Sequence, residues 1–153
     1  MKEQLLHTWQ IHHRMNELVM HHTTDAGMLK TLSPRGRPIF QQWIHVHAVR
    51  CQWMEVIAKK TAASIPAAAK NAPYHRENLV QLLTASARGL EMIFSDCWDK
   101  GGKVTGFRNG LLPLVGYFIS HESHHRGNML LTLKQAGEKI PDALKWGLWE
   151  WGK

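Results

Sequence analysis

The chain has 153 residues and a formal charge of +7, from 19 lysines and arginines against 12 acidic residues. This length predicts one domain, residues 1–153, with a core large enough to need no disulfide. The basic residues are dispersed and no nucleic-acid-binding motif is present, so the charge does not favour nucleic acid as a partner.

The cysteines and the apolar runs indicate where the protein works. Cys51 and Cys97 lie in apolar surroundings and are expected to be reduced core residues, which favours the cytoplasm. The N-terminus is mixed and polar, unlike a signal peptide. The longest apolar stretch, residues 111–119, is too short to span a bilayer, so no membrane partner is expected.

Residues 3–21 are predicted to form the first helix, because their apolar residues recur at three- and four-residue steps. This stripe comprises Leu5, Trp9, His12, Asn16 and Val19. Asn16 is polar where an apolar residue would be expected. Its amide is expected either to bond a neighbouring backbone group or to line a ligand pocket, and both interpretations stay open.

A second helix is predicted from Pro38 to about Lys60, since proline suits a first helical turn. It carries His45 and His47, which point about 200° apart on a helix, so at most one of them faces a given site. The periodicity of the two stripes does not choose between them. If the first two helices are antiparallel neighbours, Asn16 lies at the level of His45.

A third helix is predicted over residues 74–98, and a fourth over residues 113–136 with Gly137 as its left-handed cap. The segment after them, residues 146–152, contains three tryptophans and is expected to pack on the bundle or against a partner. Four long helices with no strand-like alternation predict an all-α fold, a four-helix bundle.

The fourth helix carries three histidines in a largely apolar setting. His121 and His125 are four residues apart, so they lie on one face and can present their imidazoles to one point. Two neutral imidazoles at that spacing form half of a site for a divalent transition metal. The sequence therefore predicts a metal site on this helix.

The same segment reads H-E-x-x-H, in which Glu122 would be the general base of a zinc protease. That motif needs a third ligand, and no histidine follows His125. A third histidine must therefore come from upstream, although a carboxylate from Glu138 or Glu150 is formally open. Glu122 lies 100° round the helix from His121, so its carboxylate need not face the ion.

Residues 121–130, His-Glu-Ser-His-His-Arg-Gly-Asn-Met-Leu, resemble the helix-four signature of the DinB/YfiT-like superfamily, H-E-x-H-H-R-G-Q. Residues 45–50 with Trp53 resemble its helix-two motif, and residues 147–152 also look familial. The resemblance covers nearly the whole chain and departs from the signature at Asn128, where glutamine is usual.

This resemblance implies a four-helix bundle that binds one divalent metal, zinc or nickel, through three histidines, often as a homodimer. By position the ligands would be His45, His121 and His125, with His47 as the alternative on the second helix. His124 would be a neighbour, because the third and fourth residues after His121 cannot both aim at one ion.

Characterised relatives include mycothiol-type maleylpyruvate isomerase and bacillithiol S-transferases. The resemblance thus implies a metal-dependent transferase or related enzyme that acts on a small molecule with a low-molecular-weight thiol. One alternative is a metal-dependent hydrolase with Glu122 or another carboxylate as base. A second is a non-catalytic metal-binding or stress-related dimeric protein. With a thiol mechanism, Glu122→Gln is expected to change little.

Overall fold

The computed structural model describes residues 1–69 and 71–152. Seven helices occur in this part of the chain, and no strand does. They are α1 (Lys2–His22), α2 (Asp25–Met28), α3 (Ile39–Ile57), α4 (Lys59–Ala62), α5 (Arg76–Asp99), α6 (Leu111–Gln135) and α7 (Asp142–Gly147). The four long helices confirm the predicted all-α bundle. No helix of the described chain combines the length and apolarity needed to cross a membrane.

Contacts between helix ends give the direction of each long helix. Lys2 pairs with Asp99 at 2.6 Å, and Arg76 donates to the Thr23 carbonyl at 2.7 Å, so α1 and α5 are antiparallel. A Cβ on Gly89 would lie 2.9 Å from the Met54 sulfur. Four residues earlier on α3, Arg50 donates to the Leu83 carbonyl of α5. The contacts advance in the same direction along both helices, so α3 and α5 are parallel and need the long connection over residues 58–75. The order of directions is up, down, down, up.

The ends of α6 follow backbone chemistry. Gly110 precedes the helix with φ of +84°, so α6 begins at Leu111, two residues before the predicted start. Pro113 lies inside the first turn, where no backbone N–H is required. Gly137 has φ of +76°, and the N–H of Glu138 donates to the Leu133 carbonyl at 2.9 Å. The predicted glycine cap is therefore confirmed.

The core of the bundle has an aromatic centre near the middle of the long helices. Trp9, Phe94 and Phe118 contact one another with ring centroids 5.3–6.0 Å apart. The Trp9 indole also donates to the Ala87 carbonyl at 3.0 Å. This packing fixes α1, α5 and α6 against each other, next to the polar residues described below.

The C-terminal segment packs on the bundle through α7, as expected from its composition. Leu144 is fully buried, and a Cβ on Gly147 would lie 2.7 Å from a Leu18 methyl carbon, so α7 lies tightly on α1. The tryptophans contribute less to this contact than their size suggests. They are 40–79% exposed, and they are Trp146, Trp149 and Trp151.

Candidate metal centre

Three imidazoles meet where α3 lies against α6. His45 comes from α3, while His121 and His125 come from successive turns of α6. Their ring centroids are 5.4, 5.0 and 4.7 Å apart. One ligand atom from each residue lies within 4.8 Å of the other two, so the group can hold a metal ion.

Two ring nitrogens of this group lack hydrogen-bond partners. The Nδ1 atoms of His121 and His125 are buried, and no described residue bonds to them. An unsatisfied buried polar atom costs about 1–3 kcal/mol, so proteins normally pair such atoms. A divalent transition-metal ion suits a set of three imidazoles.

The electrostatics of the group favour the neutral form of each ring. Burial, followed by the nearby His121 and His45, lowers the pKa of His125 to about 4. Burial also lowers the pKa of His45, helped by the charge of Arg37, and lowers that of His121. Neutral imidazole is the form that ligates a metal, so the group is ready to bind at neutral pH.

The group contains no fourth ligand among the described residues. Glu138 and Glu150, the carboxylates that the sequence left open, are not members of it. The three histidines are also half-buried, which leaves solvent access to the site. Three protein ligands with an accessible remaining position are typical of catalytic zinc sites, whereas structural zinc is normally four-coordinate.

Aromatic rings flank the imidazoles on one side. Tyr117 stacks nearly parallel on His121, with ring centroids 6.0 Å apart and planes 13° apart. Trp53 and Phe107 then contact Tyr117 edge-on or tilted, at 5.8 and 6.4 Å. Tyr117 is 37% exposed, so an apolar surface extends from the histidines to solvent.

The other two candidate histidines lie outside the group. His47 is 1% exposed, and its Nε2 donates to the Pro66 carbonyl at 2.9 Å. His124 is exposed and its ring lies 5.4 Å from that of His125, on the rim of the cluster. The structure thus brings together His45, His121 and His125, and their ligation of a metal stays a prediction.

Glu122 lies at the centre of a buried polar network. Arg50 donates to both of its carboxylate oxygens at 2.7 Å, and neither side chain is exposed. His12 Nε2 and Asn16 Nδ2 donate to Oε2 at 2.8 and 2.7 Å. Burial alone would raise the pKa of Glu122, but Arg50 and His12 outweigh it and hold that pKa well below its usual range.

Arg126 extends this network towards the surface. It donates to Asn16 Oδ1 at 2.5 Å, to His12 Nδ1 at 3.3 Å and to the Ser123 hydroxyl at 2.8 Å. Burial lowers the pKa of Arg126 to about 10, although the Glu122 charge opposes the shift. Arg126 therefore stays protonated at neutral pH, and His12 fits as the tautomer with its proton on Nε2.

These contacts correct one interpretation of Glu122. Both carboxylate oxygens are engaged by buried donors, so Glu122 is not placed to take a proton from a water at the imidazole group. The carboxylate is turned away from the imidazoles, as its position on the helix allowed, and the effect of Glu122→Gln on activity stays a prediction. A glutamine would set an N–H₂ donor against the donors of Arg50, His12 or Asn16.

Only part of this network was predicted from the sequence. Asn16 was singled out as a polar residue on a stripe that includes His12, but Arg50 and Arg126 received no role. Asn16 bonds the charged side chains of Glu122 and Arg126 rather than backbone groups. That Asn16 lines a ligand pocket stays a prediction.

Together these features define a helical bundle with a half-exposed group of three histidines that can hold a metal ion. The chain belongs to the DinB family, whose sequence profile matches residues 1–146. This match confirms the resemblance that the motifs on the second and fourth long helices indicated. Neither a curated protein nor a solved structure gives a significant match to the chain.

Proposed function

We propose that this chain is a metal-dependent enzyme that transfers a low-molecular-weight thiol to an electrophilic small molecule. His45, His121 and His125 hold one zinc or nickel ion per chain in this proposal. The observation that carries it is the meeting of three ligand atoms within 4.8 Å of one another, with no fourth ligand in the group among the described residues.

The surroundings of the histidines support a small-molecule substrate. An ion held by three imidazoles supplies an open position at which a thiol binds as its thiolate. The thiol would lose its proton to solvent, its sulfur would bond the electrophilic carbon, and the leaving group would depart with the electron pair of the bond that breaks. The exposed face of Tyr117 offers an apolar surface beside this position, and Arg37 contributes positive charge at His45 and His125.

The alternatives make different demands on the same site. A hydrolase would need a general base near the ion, and Glu122 is engaged elsewhere by Arg50, His12 and Asn16. A non-catalytic metal site would be expected to close with a fourth protein ligand. Neither demand is met by the contacts of the described residues, which favours the transferase.

Metal-loaded protein should be assayed with a chromogenic electrophile such as 1-chloro-2,4-dinitrobenzene in the presence and absence of N-acetylcysteine. We expect product formation faster than the uncatalysed reaction of the thiol only with the metal-loaded protein, and no increase over that background with the metal-free protein or with His125→Ala. Cobalt-loaded protein should gain a sulfur-to-metal charge-transfer band when the thiol is added.

Two results would contradict the transferase. The first is ester or amide cleavage without thiol, which would favour the hydrolase. The second is a cobalt spectrum unchanged by several thiols, which would favour a non-catalytic site. His124→Ala is the matched control, because it removes an exposed imidazole of the same helix that lies outside the group.

We also propose that the chain forms a homodimer through its C-terminal tryptophans. Trp149 is 79% exposed and Trp146 is 57% exposed, which is much apolar surface for one short segment. Light scattering at tens of micromolar should show a dimer for the wild type and a monomer for Trp149→Glu. Met92→Glu, at a residue 62% exposed on α5, should remain dimeric. A monomeric wild type would refute the proposal.

A further inference from the structure

The three imidazoles come from only two helices, so the relative position of α3 and α6 decides whether they meet. His45 is on α3, and both other rings are on α6. A rotation of α3 by one residue is about 100°, and a slip by one residue is about 1.5 Å. Either change would carry His45 away from His121 and His125. Something must therefore hold the two helices in one register.

The ion pair of Arg50 and Glu122 joins these same two helices in the adjacent core. Glu122 follows His121 directly, and Arg50 lies five residues after His45, about 7.5 Å along α3. The guanidinium donates through Nε to Oε1 and through Nη2 to Oε2, both at 2.7 Å. Two parallel bonds between planar groups fix distance and orientation together, which a single bond does not.

The two helices that carry no histidine of the group hold the pair from behind. On α5, the Leu83 carbonyl and the Ser86 hydroxyl accept from Arg50 Nη1 at 2.9 and 3.2 Å. On α1, His12 and Asn16 donate to Glu122 at 2.8 and 2.7 Å. Arg50 is thus also held by α5, and Glu122 is also held by α1.

We infer that Glu122 and Arg50 are positioning residues, which set the α3–α6 register and so bring His45 to His121 and His125. The inference rests on the proposed function in that these histidines hold the ion. A pair of charges that is wholly buried adds little stability over apolar side chains of the same volume, because desolvation offsets the attraction. Its two parallel hydrogen bonds, however, fix the orientation of the two helices one residue from the proposed ligand His121. Two apolar side chains would not do this.

The test compares Arg50→Lys and Glu122→Gln with the wild type in metal affinity and in the spectrum of bound cobalt. Lysine keeps the buried positive charge but cannot form the two-point contact. We expect cobalt affinity, measured against a chromophoric chelator, to fall about 10- to 100-fold in both variants, as for residues that orient metal ligands. The visible absorption bands should also shift, because the ligand geometry has changed.

Leu144→Ala is the control for lost stability. Leu144 is fully buried on α7 and takes no part in the hydrogen bonds between Arg50 and Glu122, so its truncation destabilises the fold and leaves those bonds in place. We expect the cobalt affinity and spectrum of this variant to match the wild type. Equal weakening of cobalt binding in Leu144→Ala and Arg50→Lys would overturn the inference, as would wild-type affinity and spectrum in the folded Arg50→Lys protein.

A metal-independent measurement separates this inference from the proposed function. If the wild type binds no ion, the proposed function fails, and crystal structures of the metal-free proteins decide the positioning role. In Arg50→Lys the ligand atom of His45 should then lie more than 4.8 Å from those of His121 and His125. In the wild type these distances should stay below 4.8 Å. Unchanged distances would overturn the inference.

Discussion

Two polar clusters on α6 are one residue apart in sequence and are built in opposite ways. His121 and His125 face a half-buried site, and each has a buried ring nitrogen that no described residue bonds. Glu122 and Arg126 are buried, and each is bonded by several partners. The helix thus carries two pairs with the same four-residue spacing, offset by 100°.

This contrast separates binding from support. An unsatisfied, accessible cluster gains by taking up a ligand, whereas a satisfied, buried cluster gains nothing and instead fixes the elements around it. Substitutions in the first cluster should weaken metal binding with little change in the free energy of unfolding. Substitutions in the second should lower the free energy of unfolding and, through the register of α3 and α6, the metal affinity as well.

The largest effect is expected at the imidazoles of α6. His125→Ala or His121→Ala leaves two ligands, so metal content should fall from about one ion per chain to none after gentle dialysis. Elemental analysis of the purified protein measures this directly. His124→Ala should retain its metal, because that ring lies outside the group. Loss of metal in His124→Ala, with retention in His125→Ala, would reverse the assignment of faces.

On α3 the two histidines should behave as opposites. His45→Ala is expected to lose the ion and keep its thermal stability, because the side chain is half-exposed and unbonded to protein. His47→Ala should keep the ion but lose roughly 1–3 kcal/mol of unfolding free energy, since it empties a buried volume and breaks the bond to Pro66. Metal titration and denaturant melts of each variant test both halves, and the reverse pattern would make His47 the ligand.

In the buried cluster, Glu122→Gln should lower the unfolding free energy of the metal-free protein by about 3–5 kcal/mol. The substitution leaves the Arg50 charge buried without its counter-ion and introduces a donor among donors. Urea denaturation at neutral pH measures the loss. Glu77→Gln is the control, because that carboxylate is 72% exposed and its loss should cost under about 0.5 kcal/mol. Equal values for the two variants would contradict the account of the buried cluster.

A smaller effect is expected from His13 on α1, which follows His12 of the buried cluster in sequence. Burial lowers its pKa from 6.5 to about 3. The unfolded state therefore binds more protons between those values, so stability falls as the pH drops through that window. In metal-free protein, His13→Gln should reduce the loss of unfolding free energy between pH 7 and pH 5 by about 2 kcal/mol. An unchanged slope would show that His13 protonates freely in the folded state.

Much of the fold could be predicted from the sequence because its signals are local. Apolar residues at three- and four-residue steps, with proline and glycine near the helix ends, gave four long helices within a few residues of their observed bounds. The spacing of His121 and His125 fixed their common face in the same way. The ends that differed, such as Ile57 at the end of α3, depend on backbone angles that tertiary packing decides.

The rest of the site depends on contacts between distant residues, which periodicity does not give. The choice between His45 and His47 depends on how α3 packs. Trp43 and Met54 are buried, so the helix face that they share with His47 lies in the core. The partners of Glu122 are 72–110 residues away in sequence. A polar residue on an apolar stripe indicates a buried polar contact, but the pattern does not predict which residue is its partner.

The central claim is that one divalent ion lies among three imidazoles with one position left open. The most direct test is anomalous diffraction at the zinc edge from crystals of zinc-loaded protein. We expect one peak per chain, about 2.0–2.1 Å from a ring nitrogen of each of His45, His121 and His125, with no protein atom as fourth ligand. No peak at these rings, or a peak bonded to His47 or to a carboxylate that closes the site, would contradict the account.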